Sequence, residues 1–292
     1  MKKMITASCF LALALSVGGQ ELDAKKFFRP VPTASSAVEL ADIEALYKAV
    51  EVQKQLELGE AFLAKYPESS LRGIAYRYVV ASLVQLKQSG RAIEVAMKAL
   101  AERKDNLSVM AEICRMGSEE ARNKVFTNST VALEMGTRAL AMVDVGTIPY
   151  EYSDADWNAR RESFVGSLHK ALGTIYFYQE KWADAARHFL SASQMLPTDP
   201  YSYYMNAKSR YNEAYQKRKP IPAEEIVGML AKAYVLTDND TYRWLQSTVD
   251  MELKYVAAQS KLASPLDSYI QAARDQAVVN ASAPMPAASQ KH

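Results

Sequence analysis

Cysteine is nearly absent from this 292-residue sequence, and Cys9 and Cys114 are too few to build a disulfide framework. Glycine and proline are also sparse, 11 of each with no short period, which excludes collagen-like and low-complexity architectures. Three histidines make a poor inventory of metal donors. An excess of charge of one sign is lacking too, since 35 Lys and Arg stand against 33 Asp and Glu and the surplus is Lys2 and Lys3. That balance lacks the electrostatic footprint of a nucleic-acid binder, so no nucleic-acid partner is expected. What is there is ordinary for a globular protein with a sizeable core: 49% hydrophobic, 23% charged and 10% aromatic residues.

The chain opens with Lys2-Lys3, an apolar run from Met4 to Val17 and then Gly18-Gly19-Gln20. A charged start, a short apolar stretch and a small-residue site read as a signal peptide over residues 1–19. The run falls short of the roughly 20 apolar residues of a membrane-spanning helix, and no later segment reaches that length. The expectation is an exported chain, periplasmic or extracellular after cleavage, with no membrane span in the mature protein. Cleavage leaves Cys114 as the only thiol.

The strongest internal pattern is a 34-residue unit from Gly166 to Asp199, with Leu172, Gly173, Tyr176, Ala185, Phe189, Ala192 and Pro197 at positions 7, 8, 11, 20, 24, 27 and 32. Leu172 and Tyr176 are four apart, while Ala185, Phe189 and Ala192 step by four and three, so each set lines one face of a helix. Gly173 and Ala185 suit a close approach of two antiparallel helices, and Phe189 fills space between neighbouring units. Pro197 stops the second helix, and Asp199-Pro200 caps the next one.

This spacing resembles the tetratricopeptide repeat, with His169 in place of the Trp expected at position 4. A weaker copy starts at Gly73 with Ala92, Ala96 and Ala99. A third starts at Leu107 with Ala132, Gly136 and Ala139, and a fourth at Pro200, whose second helix is expected from Ala223 to Val235. The resemblance implies an all-α, right-handed superhelical solenoid of antiparallel helix pairs. Its expected parts are a linker at 20–36, N-terminal capping helices at 37–72 and four repeats over 73–240. An insertion at 147–165 extends the following helix backwards, a capping helix occupies 241–258, and 259–292 reads as a mostly flexible, Ala-, Pro- and Ser-containing tail. Within that tail, 266–278 has an amphipathic pattern suited to docking on the last repeat or in its groove.

Catalytic chemistry finds little support. There is no Gly-Lys-Ser, no Gly-Lys-Thr and no Gly-x-Ser-x-Gly. Cys114 lies among Met110, Ile113 and Met116, the setting of a buried thiol. His169 and His188 fall on opposite helices of one unit and read as structural. Asp238-Asn239-Asp240 lacks the turn glycine and further carboxylates of a calcium loop and reads as a helix cap. No enzyme activity, metal or cofactor is expected.

Positions 2, 5, 9 and 12 of the first helices line the concave face that the resemblance assigns to partner binding. They select Lys170, Thr174 and Phe177 in one repeat and Tyr201, Tyr204, Lys208 and Tyr211 in the next, with Tyr178 alongside. Aromatics interleaved with lysines suit a peptide or protein partner of mildly acidic character. The earlier repeats place Ile74, Arg77, Ala81 and Val84, then Ser108, Ala111, Arg115 and Ser118, at the same positions. The ordered Lys, Asn and Arg set of the chaperone-binding members is not reproduced. The expected function is a non-catalytic interaction scaffold with a Tyr-rich groove; the alternative is a structural or assembly factor of the cell envelope that works through its convex face.

Overall fold

The computed structural model describes residues 31–282, so the expected signal peptide and residues 283–292 lie outside it. Every regular element among the described residues is a helix, twelve in all: α1 (Ala37–Lys48), α2 (Val52–Lys65), α3 (Arg72–Gln85), α4 (Ser89–Glu102), α5 (Leu107–Arg122), α6 (Ser129–Asp144), α7 (Asp154–Tyr178), α8 (Trp182–Met195), α9 (Pro200–Gln216), α10 (Ala223–Leu236), α11 (Arg243–Gln259) and α12 (Leu266–Ser282). None is long and apolar enough to cross a membrane. The chain divides into two compact units, one running to Ile113 and including Val145–Trp157, the other made of Cys114–Asp144 and Asn158 onward.

In the first unit α1 packs on α2 and α3, α2 on α3, and α3 on α4. Ser36 caps α1 by accepting from the Glu39 backbone N–H, while the Glu39 carboxylate accepts from the Ser35 backbone N–H and from the hydroxyls of Ser35 and Ser69. This arrangement closes the helix start and ties it to the turn between α2 and α3. Burial opposes the Glu39 charge, but these donors outweigh it and hold the carboxyl below its ordinary value. Residues 33–36, expected as linker, are docked: the Thr33 N–H donates to Ser70 Oγ at 3.1 Å, and Ala34 is buried. Ala92, Ala96 and Ala99 form the buried stripe of α4.

The part of the 147–165 stretch up to Trp157 has its own anchor in this unit. Tyr150 is buried with its phenol over Gly73, so that a Cβ there would overlap the hydroxyl, and the Arg103 guanidinium lies 4.1 Å from the Tyr150 ring centroid. Ser108 Oγ donates to Glu151. Ser153 Oγ then accepts from the Asp156 N–H and starts α7, which reaches back into the insertion as its sequence implied.

In the second unit α8 packs on α9, α9 on α10, and α10 on both α11 and α12. Leu172, Ala185, Phe189 and Ala192 are fully buried. A Cβ on Gly173 would lie 3.2 Å from three Phe189 ring atoms, and one on Gly136 would lie 2.5 Å from Cys114 Sγ. Burying Phe189 alone is worth about 2–3 kcal/mol, and the missing side chain of Gly173 is what lets α7 and α8 come that close. Asp199 caps α9 by accepting from the Ser202 N–H, with Pro200 at the first helical position, as the sequence indicates.

The turns after α3, α5, α7 and α9 share one geometry. Among the described residues, Lys87, Lys124, Glu180 and Arg218 are the positive-φ residues other than glycine, at 60°, 58°, 60° and 52°. Each is followed by an N–H that reaches back five residues: Gln88 to Leu83 O, Val125 to Glu120 O, Lys181 to Tyr176 O and Lys219 to Ala214 O. This is the left-handed helix stop that satisfies terminal carbonyls, repeated four times with no glycine at the left-handed position.

The expected flexible tail needs correction. Residues 266–282 form α12, which packs on α10 through Leu266, Tyr269, Ile270 and buried Ala273. These sit at i, i+3, i+4 and i+7, the helical apolar stripe behind the amphipathic pattern of 266–278, which the Ala, Pro and Ser content had outweighed in favour of a tail. The Ala263 N–H and the Tyr269 hydroxyl both donate to Glu224 at the start of α10.

Candidate functional site

The eight side chains selected from sequence all belong to α7 and α9 in the second unit, but they do not form one open surface. Thr174 is fully buried and its hydroxyl donates to Lys170 O at 2.8 Å. Phe177 is buried edge-on to Tyr178 and to Trp182, with centroids 5.4 and 5.0 Å apart. Tyr201 is buried edge-on to Phe189, with Arg122 and Lys170 at 4.8 and 5.3 Å from its ring centroid. Tyr204 is buried as well. Those four serve packing, a correction to the open-groove expectation; Lys170, Tyr178, Lys208 and Tyr211 remain partly exposed.

Both lysines already have partners. Lys170 Nζ lies 2.9 Å from Asp199, the capping residue of α9, which also accepts from the Tyr242 hydroxyl at 3.1 Å. Lys208 Nζ donates to Glu252 Oε1 at 2.7 Å and to Tyr204 Oη at 2.9 Å, and Tyr204 Oη donates to the same carboxylate oxygen at 2.9 Å. Burial pushes the Tyr204 phenol up to about 12. Burial alone works against the Lys208 charge, but the Glu252 and Tyr204 bonds prevail and hold its pKa above the ordinary value. With both ammonium groups compensated, the expectation of a mildly acidic ligand loses its basis.

An opening remains beside this triad. A cleft of about 230 Å³ lies between α9, α10 and α11. Its apolar lining is Ala207, Ile226, Leu230 and Val256, all buried, and its polar edge carries Lys208, Tyr211, Asn212, Glu252 and Tyr255. Tyr255 is 55% exposed. Burial and then the neighbouring Tyr255 raise the Tyr211 phenol above its ordinary pKa. Sequence reasoning reached Lys208 and Tyr211 but missed Glu252, Tyr255 and Val256, assigned to a cap, and Ile226 and Leu230 of α10. The available signal was the 252, 255, 256 spacing, which puts all three on one side of α11.

Elsewhere, Cys114 is fully buried and burial pushes its thiol up to about 12, so thiolate is negligible near neutral pH. His169 and His188 meet Nδ1 to Nδ1 at 2.9 Å. Among the described residues no group of three or more His, Cys, Asp or Glu side chains converges to hold a metal ion. The chain matches no established family profile, and comparison with curated proteins returns no relative.

Proposed function

We propose that this chain is an exported tetratricopeptide-like repeat protein, a right-handed solenoid of antiparallel helix pairs, that holds a partner peptide or protein without performing chemistry on it. The 34-residue signature around Gly173 and Phe189 supports the repeat reading, as do the four left-handed turns at Lys87, Lys124, Glu180 and Arg218. Such a turn at the same place in successive helix pairs is what a repeated unit requires.

The observation that carries the binding reading is the cleft between α9, α10 and α11, where an apolar lining meets a rim of two tyrosines. Apolar depressions edged by Tyr are where partner side chains anchor, because Tyr offers a large apolar face and a hydroxyl at little conformational cost. The site lies towards the C-terminal half of the chain, where the aromatic positions were concentrated from the start.

The test is affinity capture from cell-envelope extract with the protein and with a Tyr211→Ala, Tyr255→Ala double variant of unchanged helicity and melting. Fractionation of the source cells checks export in parallel. A partner retained by the parent and lost by the double variant is the expected result. Equal capture by both moves the interaction to another surface, in favour of an assembly factor that works through its convex face.

A further inference from the structure

We infer that the cleft takes one large apolar side chain of an extended peptide and holds the uncharged backbone amide beside it on the Lys208–Glu252 pair; this rests on the reading of the chain as a peptide-binding scaffold.

The size sets the first limit. At about 230 Å³ the cleft falls below the ~300–1,000 Å³ of pockets that enclose cofactors or drug-sized molecules, and it suits a single side chain. Ile226, Leu230 and Val256 are at most 6% exposed, so the wall is set by the core and is already formed. Tyr255, more than half exposed, stands at the mouth where a guest would cover it.

The electrostatics set the second limit. An ammonium has three N–H donors, and Lys208 spends two, on Tyr204 and Glu252, which leaves one. The carboxylate of Glu252 receives both of its hydrogen bonds on Oε1, which leaves Oε2 to accept. One remaining donor and one remaining acceptor, on an ion pair with no net charge that lines the cleft, match a neutral group that carries both, and the peptide amide is that group. A carboxylate guest would gain from Lys208 and be repelled by Glu252 at nearly the same distance, and an ammonium guest the reverse. Charge complementarity therefore selects an uncharged segment around an apolar anchor, where the spacing of lysines alone suggested an acidic one.

A random dodecapeptide display library panned on the whole protein, and separately on its Glu252→Gln and Tyr255→Ala variants, tests this. Glu252→Gln keeps an acceptor for Tyr204 but leaves Lys208 uncompensated. Peptides selected on the parent should share a Leu, Ile, Met or Phe with no charged neighbour, shift the Ile226, Leu230 and Val256 methyl resonances, and bind about tenfold or more weakly to Tyr255→Ala. Selection on Glu252→Gln should turn to peptides with Asp or Glu next to the anchor. If Tyr255→Ala lowers the melting temperature, Tyr211→Ala replaces it as the rim variant. Peptides that bind the parent and both variants equally, or that carry a charge beside the anchor on the parent, overturn the inference and leave the scaffold reading standing. A library that yields no binder to any of the three proteins overturns the scaffold reading itself.

Discussion

His169 of α7 and His188 of α8 face each other Nδ1 to Nδ1 at 2.9 Å, with ring centroids 5.1 Å apart, so the two nitrogens meet nearly head-on. Only one proton fits between them, and one imidazole donates while the other accepts. Tyr176 stacks on His188 at 5.4 Å, and Lys181 lies 5.7 Å from the Tyr176 ring centroid.

The pair makes the second unit sensitive to acid. Burial lowers the pKa of both rings; the neighbouring His169 and Arg187 take His188 further, to about 4, while Asp184 opposes them, and for His169 Asp144 opposes Arg187. The unfolded chain takes up the His188 proton near pH 6.5 and the folded chain resists until about pH 4, so stability present above 6.5 is lost as pH falls through that window, and the lowered His169 acts in the same direction. Urea unfolding of the parent should lose on the order of 1–2 kcal/mol more than a His188→Gln variant between about pH 7 and pH 5, allowing for the partial exposure of both rings. An identical pH slope for the two proteins would remove the pair as the cause.

Gly73 and Gly90 should respond oppositely to alanine. A Cβ at Gly73 overlaps the buried Tyr150 phenol, whereas nothing lies within 4 Å of one at Gly90. Gly73→Ala should cost about 1–3 kcal/mol in chemical denaturation. Gly90→Ala should be neutral or stabilising by up to ~1 kcal/mol, the helix-propensity difference. Adding Tyr150→Phe removes the atom closest to the new methyl, so the double variant should recover part of the Gly73→Ala loss. Full additivity would place Tyr150 elsewhere.

The left-handed turn at Glu180 predicts a gain. Its φ of 60° strains a residue with a Cβ, by roughly 1–2 kcal/mol, and glycine relieves this at the cost of a more flexible unfolded chain. Glu180→Gly should raise stability by about 0.5–1 kcal/mol in thermal unfolding, and Glu180→Ala should not. A loss with glycine would mean that the side chain contributes more than the backbone strain costs.

Much of the fold was legible because it is local. The Leu172, Tyr176 and Ala185, Phe189, Ala192 spacings mark helix faces, Asp199-Pro200 marks a helix start, and the second helix expected over 223–235 is α10, Ala223–Leu236. Helix 266–282 was half legible: its apolar stripe was visible, but composition pointed to a tail, and only packing on α10 settles that choice. The turn residues were not legible at all, since Lys, Glu and Arg in the left-handed region carry no signature of the kind glycine provides.

The candidate site divides along the same line. Periodicity alone determined that Tyr201, Tyr204, Lys208 and Tyr211 share one side of α9, because residues three and four apart on a helix are neighbours whatever surrounds them. Whether that side is open was decided by α11, which brings Glu252 to Lys208 and Tyr204 from 44 and 48 residues away, neutralises the lysine and leaves a cleft beside Tyr211 and Tyr255. A side chain's direction is fixed by its own helix, but its burial and charge balance belong to whatever packs against it, and that is written in no stretch of sequence short enough to read by period.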